Sequence, residues 1–200
     1  HFASGRANAR HGEAGCEGAW QRAARDWATG EIVDWDVELY AIVGAATAEF
    51  DLFLAPADRI PCLLEEIGRC REETFRAVGE GTNRSLDLDE YDLYYRHLIL
   101  WDREAGMLAG AYRIGEGWEI MERYGKRGFY THSLFRMKAG FAPVLTASVE
   151  LGRSFIVPDY QKKRMPLFLL WKGILSVLIQ SPQARYILGP VTISSDYKLV

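Results

Sequence analysis

Residues Ala147–Val157 read Ala-Ser-Val-Glu-Leu-Gly-Arg-Ser-Phe-Ile-Val, and they predict the central strand of a sheet. Apolar, largely β-branched and aromatic side chains dominate the stretch, which ends at Pro158. Two charges, Glu150 and Arg153, interrupt it. Strict alternation would place them on opposite faces, but Gly152 permits a bulge that brings them to one side. Because charges in a central strand are costly unless they are paired or line a polar site, we expect a functional site here rather than a structural ion pair.

Helical and strand-like segments flank this strand on both sides. Residues 59–78 carry apolar side chains at a 3.6-residue period, which predicts an amphipathic helix, and Pro166 begins a second helix that runs to about residue 180. The turn Asp102–Gly106 joins two strands into an antiparallel hairpin. This order predicts an α+β (mixed α/β) domain. The other expected elements are strands at 50–54, 95–102, 107–114, 184–188 and 190–195, with short helices at 20–27 and 133–139 in otherwise irregular sequence.

The domain organisation follows from composition. Residues 1–48 are rich in Ala, Gly and Arg and predict a tail or linker, so the folded domain is expected at 49–200. The chain begins with His1 instead of Met and stops at Val200 after a strand-like stretch, so we expect a C-terminally truncated fragment. We expect no signal peptide, and the sequence has no apolar run long enough to span a membrane.

Several kinds of chemistry lack support in the sequence. The three cysteines have no CxxC spacing and the four histidines no metal-ligand spacing, so we expect no metal site, no disulfide framework and a cytoplasmic location. No glycine-rich phosphate loop and no Gly-x-Ser-x-Gly elbow is found. His97 and Asp102 fit the His-x4-Asp motif of glycerolipid O-acyltransferases, but they lie in a strand without its companion motifs, so we interpret the match as coincidence.

Charge is distributed unevenly along the chain. Residues 1–110 hold 11 Lys/Arg and 21 Asp/Glu, whereas residues 111–200 hold 13 Lys/Arg and 6 Asp/Glu. A basic half can attract an acidic protein or an anionic membrane surface, or it can simply be a solvated face. Nucleic acid is not expected as a partner, because no binding motif accompanies the charge.

Arg71 is out of place on the first helix, because it lies four residues after Ile67 and four before Phe75, on the apolar stripe. A charge there must be paired, line a polar site, or extend to the stripe's edge. The carboxylates that follow the helix are candidate partners. They are Asp87, Asp89 and Asp92.

Seven residues form an ordered pattern: Arg71 and Phe75 as Arg-x-x-x-Phe, Asp89 and Asp92 as acidic-x-x-Asp, Arg113 on the hairpin, and Glu150 and Arg153 as Glu-x-x-Arg. The pattern resembles the GNAT-type acyltransferases, in the branch that contains autoinducer synthases, ornithine N-acyltransferases of ornithine-lipid synthesis and hemolysin-like proteins. The resemblance covers about residues 50–197. The phrases Glu150–Ser154, Val157–Tyr160 and Leu170–Ile174 are most similar to the ornithine-lipid and hemolysin-like proteins.

The resemblance implies a GNAT-like fold, with a central, mostly antiparallel sheet flanked by helices. It implies transfer of a long-chain acyl group from an acyl carrier protein or acyl-CoA to the amine of an amino acid such as ornithine, with no bound cofactor. Residues 1–48 would then be the join to an upstream domain. The alternatives are a hemolysin-like protein associated with O-acylation of lysophospholipids and a non-catalytic module that binds the acyl group or its carrier.

The resemblance also implies roles for the matched residues. Glu150 would accept the proton of the acceptor amine, with Arg153 beside it in the catalytic site. Arg71, Phe75, Asp89 and Asp92 would bind substrate and order a lid. Arg113 and Arg153 would either pair with the aspartates or bind an acceptor carboxylate, and the sequence does not choose between these roles.

The donor site departs from the GNAT pattern. The family's Gln/Arg-x-x-Gly-x-Gly/Ala, where backbone N–H groups bind the coenzyme A pyrophosphate, reads Gln161-Lys162-Lys163-Arg164-Met165-Pro166 here. Pro166 has no N–H to donate and Arg164 adds a side chain, which favours an acyl carrier protein as donor. The expected donor-binding residues are Gln161, Lys162, Lys163 and Arg164. The apolar helix that follows is core or the wall of an acyl tunnel, and peripheral contact with the inner membrane is a further expectation.

Overall fold

The computed structural model describes residues 40–41 and 47–191, and its centre is a six-stranded sheet. The strands lie in chain order across the sheet: each of the first five is antiparallel to its neighbour, and the sixth is parallel to the fifth. The mostly antiparallel sheet is therefore confirmed. The strands are β1 (Tyr40–Ala41), β2 (Phe50–Pro56), β3 (Arg96–Asp102), β4 (Met107–Glu116), β5 (Ser148–Ile156) and β6 (Tyr186–Leu188).

Two 17-residue helices cover the sheet. The α-helices are α1 (Pro61–Ala77), α2 (Gly117–Arg123), α3 (Tyr130–Leu134), α4 (Ala142–Thr146) and α5 (Arg164–Gln180). Leu98 of β3 lies against α5 at Gly173. The neighbouring His97 points to the opposite face of the sheet, where it contacts Asp92, the residue that pairs with α1. The two long helices thus lie on opposite faces of the sheet, and apolar residues of both belong to one buried core.

The segment between β4 and β5 differs from the prediction. It was expected to be irregular with one helix at 133–139, but it holds α2, α3 and α4, and residues 135–138 lie outside any helix. The reason is tertiary: a Cβ at Gly117 would lie 2.0 Å from the Leu145 carbonyl oxygen, so α2 begins where only glycine fits. The predicted helix at 20–27 lies outside the described residues, as does nearly all of the predicted tail and most of the strand expected at 190–195.

The pairing of β4 with β5 contains a β-bulge beside the predicted site. Ala111 pairs with Phe155 and Arg113 with Gly152, so one residue of β4 faces two of β5. The predicted bulge is therefore confirmed, but the left-handed backbone falls on Arg153, with φ of 48°, instead of on Gly152. The bulge breaks the alternation of side chains and lets Arg153 and Glu150 contact the same residue, Tyr130.

Candidate active site

Arg71 is the most enclosed charge of α1, with a side chain only 1% exposed. Its Nη1 and Nη2 donate to Asp92 Oδ1 and Oδ2 at 3.0 and 2.7 Å, a bidentate pair. Nη2 also donates to the Asp87 carbonyl oxygen, and Nε lies 3.1 Å from Asp87 Oδ2. The charge on the apolar stripe is therefore paired, as the nearby aspartates suggested, and does not extend to the edge of the stripe.

Asp89 and Asp92 are held by a 3₁₀ turn at Glu90–Leu93. Asp89 Oδ1 accepts from the Tyr91 N–H at 3.0 Å, and Asp92 Oδ2 accepts from the Asp89 N–H at 2.9 Å, which makes a capping box. Burial alone would raise the pKa of Asp92, but the hydrogen bonds and charge of Arg71, with the charge of Arg113, lower it well below the ordinary value. Asp92 is consequently ionised throughout the physiological pH range.

Arg113 of β4 is enclosed by two aspartates and three aromatic rings, and its side chain is 1% exposed. Its Nη1 lies 2.5 Å from Asp89 Oδ1 and 3.2 Å from Asp92 Oδ2. Its guanidinium carbon also lies 5.2–5.6 Å from the centroids of three aromatic rings, within cation–π range. The rings belong to Tyr91, Tyr95 and Tyr130.

Arg153 is attached more loosely. Its Nη2 lies 3.7 Å from Asp87 Oδ1 and 3.8 Å from Asp89 Oδ2, and its side chain is 21% exposed. The guanidinium carbon lies 5.3 Å from the ring centroid of Tyr130 and 6.0 Å from that of Phe75. The structure thus brings six charged residues into one unit, called the arginine–aspartate cluster below. Its members are Arg71, Arg113, Arg153, Asp87, Asp89 and Asp92.

Glu150 lies beside this cluster and is 1% exposed. Its carboxylate accepts four hydrogen bonds: from the Tyr130 N–H at 3.1 Å, the Thr131 N–H at 2.6 Å, and the hydroxyls of Tyr95 and Thr131. Burial and the charge of Glu150 raise the pKa of Tyr95, so its hydroxyl remains a donor. Sequence reasoning missed these donors, because they come from the segment it predicted to be irregular and from the residue just before β3.

The expected donor-binding residues line a cavity of about 450 Å³ at the start of α5. Gln161 Nε2 donates to the Ile156 carbonyl oxygen at 3.0 Å, and Lys163 Nζ lies 4.5 Å from the Tyr160 ring centroid. Lys162 and Arg164 are exposed. The apolar part of the lining is contributed by Ile156, Leu167, Phe168 and Trp171. A lining that is both basic and apolar is suited to a ligand that combines an acyl chain with an anionic group.

The remaining chemical candidates belong to the core. His97 and Asp102 lie five residues apart on β3 and face opposite sides of the sheet, so they do not form a His–Asp site. Burial lowers the pKa of His97, while burial, with the charge of Glu66, raises the pKa of Cys70 to about 12 and leaves its thiol unreactive. Across 47–191, no cluster of His, Cys, Asp and Glu is suited to a metal, and no helix there is long and apolar enough to cross a bilayer.

Comparison with known proteins supplies a family and a fold. Residues 70–171 match the family model described as "Acetyltransferase (GNAT) domain". The crystal structure of the AHL synthase LasI superposes with a TM-score of 0.52 over 72% of each chain, at 14% identity. At that identity the match shows a shared fold alone.

Curated relatives carry named activities. The chain is 36% identical over 148 residues to the glycine N(alpha)-acyltransferase of Phocaeicola vulgatus, covering 68% of this chain and 45% of that protein. It is 34% identical to the enzyme of the same name from Bacteroides thetaiotaomicron, over 73% of this chain and 47% of the relative. The L-ornithine N(alpha)-acyltransferase of Brucella abortus is 31% identical over 58% of this chain and 40% of its own length. The chain therefore spans less than half the length of these relatives.

The Arg71→Met substitution should destabilise the protein by about 3–5 kcal/mol, because it leaves the buried Asp92 without its bidentate partner and the buried Asp87 without Arg71. Arg69→Met is the matched control two residues away, since Arg69 pairs with Glu66 and Glu73 on the exposed face and an exposed pair contributes about 1 kcal/mol or less. Urea denaturation at pH 7 measures both. Equal losses of unfolding free energy in the two variants would show that the buried Arg71–Asp92 pair contributes no more than the exposed pairs of Arg69.

Proposed function

The chain belongs to the acetyltransferase (GNAT) domain family, and from this premise we propose that it acylates the α-amine of an amino acid with an acyl group taken from a thioester. The observation that carries the proposal is the bulge in β5. At this bulge the partly exposed Arg153 and the hydrogen-bonded carboxylate of Glu150 both contact Tyr130. The named relatives act on glycine and on L-ornithine, which supports an amine acceptor over a lipid hydroxyl. Glycine and ornithine are accordingly the first acceptors to test.

We assign the proton-accepting role to Glu150. The acceptor's ammonium group must lose a proton before its nitrogen attacks the thioester carbonyl. Thr131 is half-buried and its hydroxyl donates to Glu150, so we assign it to take that proton while it passes its own to the carboxylate. The new N–C bond then forms, the C–S bond breaks, and the second nitrogen proton leaves with the thiol. A bulge leaves its extra residue outside the ladder, so backbone N–H groups at the shift between Ala111 and Arg113 are our candidates to stabilise the oxyanion.

The Glu150→Gln substitution should lower kcat by about 100-fold or more, because the amide cannot take up the proton. The measurement is mass spectrometry of the N-acyl product formed from glycine or ornithine and an acyl carrier protein loaded with a long-chain acyl group. Thr131→Val should also lower kcat, while it retains the backbone N–H that bonds Glu150. Circular dichroism controls for folding, and a folded Glu150→Gln variant with the wild-type rate would remove Glu150 from the mechanism.

For the donor we propose an acyl carrier protein. Lys162 and Lys163 are exposed beside the cavity at the start of α5, where an acidic carrier can approach. Pro166, in the first turn of α5, has no N–H to offer a pyrophosphate. Acyl-CoA is the alternative donor, and it would depend on the backbone amides of this turn more than on surface lysines.

Charge reversal by Lys162→Glu and Lys163→Glu together should raise KM for the acyl carrier protein by at least about tenfold, since opposite charges steer and hold the carrier. KM for the amino acid should stay unchanged. Arg136→Glu together with Lys138→Glu, at two exposed residues elsewhere, controls for the change in net charge. An unaltered carrier KM in the double variant, or faster turnover with acyl-CoA than with the carrier, would contradict the proposed donor.

The outer face of α5 carries a row of exposed apolar side chains at helical spacing: Phe168, Trp171, Leu175 and Ile179. The helix has no acidic residue, and Lys162, Lys163 and Arg164 lie at its start. An apolar face next to a basic cluster is complementary to an anionic membrane surface. We therefore propose that α5 contacts such a membrane, where an acylated product would partition.

The Trp171→Ser/Ile179→Ser double variant should lose most of its co-sedimentation with phosphatidylglycerol vesicles, because it removes apolar area from this face. Val78→Ser, at the end of α1, is the control, since Val78 is also an exposed apolar residue. Undiminished binding of the double variant would place the membrane contact elsewhere or exclude it.

A further inference from the structure

The three arginines of the arginine–aspartate cluster differ in which of their guanidinium N–H donors remain without a hydrogen bond. Arg71 is committed to Asp92 in a bidentate pair and to the Asp87 carbonyl oxygen. A guanidinium has five N–H donors and no acceptor, so any donor that the cluster leaves open is available to an anion. The structure can therefore identify which arginine receives a ligand.

Arg113 is not available to a ligand. Its side chain is 1% exposed, and one end of it bonds Asp89 and Asp92. Its Nε and Nη2 make no hydrogen bond within the described part of the chain, but they are sealed from solvent and three tyrosine rings surround the group. An incoming carboxylate has no path to these nitrogens without unpacking the rings.

Arg153 has the opposite character. Its Nη2 lies 3.7 and 3.8 Å from the nearest aspartate oxygens, beyond hydrogen-bond distance, so these contacts are charge proximity alone. Its Nε is buried and finds no hydrogen-bond partner among the residues that the structure describes, while about a fifth of the side chain is open to solvent. The guanidinium is thus positively charged, reachable and without a hydrogen-bonded carboxylate.

We propose that Arg153 binds the carboxylate of the acceptor amino acid. This inference rests on the proposed function, and it deepens that function by assigning the group that selects the substrate. Tyr130 makes the geometry suitable, because its ring lies against Arg153 while its N–H bonds Glu150. An α-amino acid has its amine and its carboxylate on one carbon, so it can present the carboxylate to Arg153 and the amine to the Glu150 side.

The left-handed backbone at Arg153 supports the assignment. A side chain in this conformation is unfavourable for any residue with a Cβ, and the bulge holds it at the point where the side chain leaves the alternation of β5. The specificity that follows is for amines with an adjacent carboxylate. Amides and simple alkylamines offer no anion to Arg153 and should be poor acceptors.

The test compares glycine with glycinamide, which has nearly the same size and a primary amine on the same carbon but lacks the negative charge. Rates are compared per unprotonated amine, because the amide makes the amine less basic. The wild-type chain should use glycine at least about tenfold better in kcat/KM, as expected for the loss of a hydrogen-bonded charge. Arg153→Gln should raise KM for glycine by a similar factor and so remove most of the preference for glycine over glycinamide, while KM for the acyl donor stays at its wild-type value. Arg123→Gln, at an exposed arginine of α2, is the control and should keep the wild-type preference.

A second measurement separates this inference from the proposed function. Calorimetric titration of glycine into the chain needs no turnover, and glycine should bind to wild type and to Arg123→Gln but not to Arg153→Gln. If no acyl product forms with any acceptor but binding still depends on Arg153, the proposed function fails and the carboxylate site stands. Equal use of glycinamide by wild type, or an Arg153→Gln variant that keeps the glycine preference or glycine binding, would overturn the inference.

Discussion

The buried bidentate pair between Arg71 and Asp92 is the interaction on which the site depends. Asp92 also accepts the Asp89 N–H and lies beside Arg113, so one carboxylate joins α1, the 3₁₀ turn and β4. Placing these charges in the interior is costly, and only their mutual pairing offsets that cost. Arg71, Asp92 and Arg113 therefore depend on one another. Arg71 and Arg113 also hold Asp87 and Asp89, whose oxygens lie 3.7 and 3.8 Å from Arg153 Nη2.

Glu150 and the cluster divide the work of positioning. The cluster holds the segment before β3, whereas Glu150 holds the start of α3 through two N–H groups and a threonine hydroxyl. Tyr95 and Tyr130 connect the two, because each bonds Glu150 and each places its ring against Arg113. The cavity proposed for the donor begins at Ile156, the last residue of β5, and is otherwise lined by the turn that follows and by α5.

The sequence predicted the parts of the site that depend on local pattern. Arg71 was visible because it breaks a 3.6-residue apolar stripe, and Glu150 and Arg153 because they break an apolar strand. The helices at α2 and α4 and the donors to Glu150 were not visible, because they depend on contacts between distant segments. The close approach of Gly117 to Leu145 is one such contact, and the residues near either position do not predict it.

The left-handed backbone at Arg153 has an evolutionary consequence. Glycine adopts a positive φ without the steric cost that a Cβ brings, so replacement by glycine here relieves backbone strain while it removes a guanidinium. Selection for stability alone therefore pulls this position away from arginine, whereas the acceptor recognition that we propose would hold it there. In descendants that no longer need the reaction, Arg153 is among the first site residues that mutation should replace, because its loss can make the protein more stable.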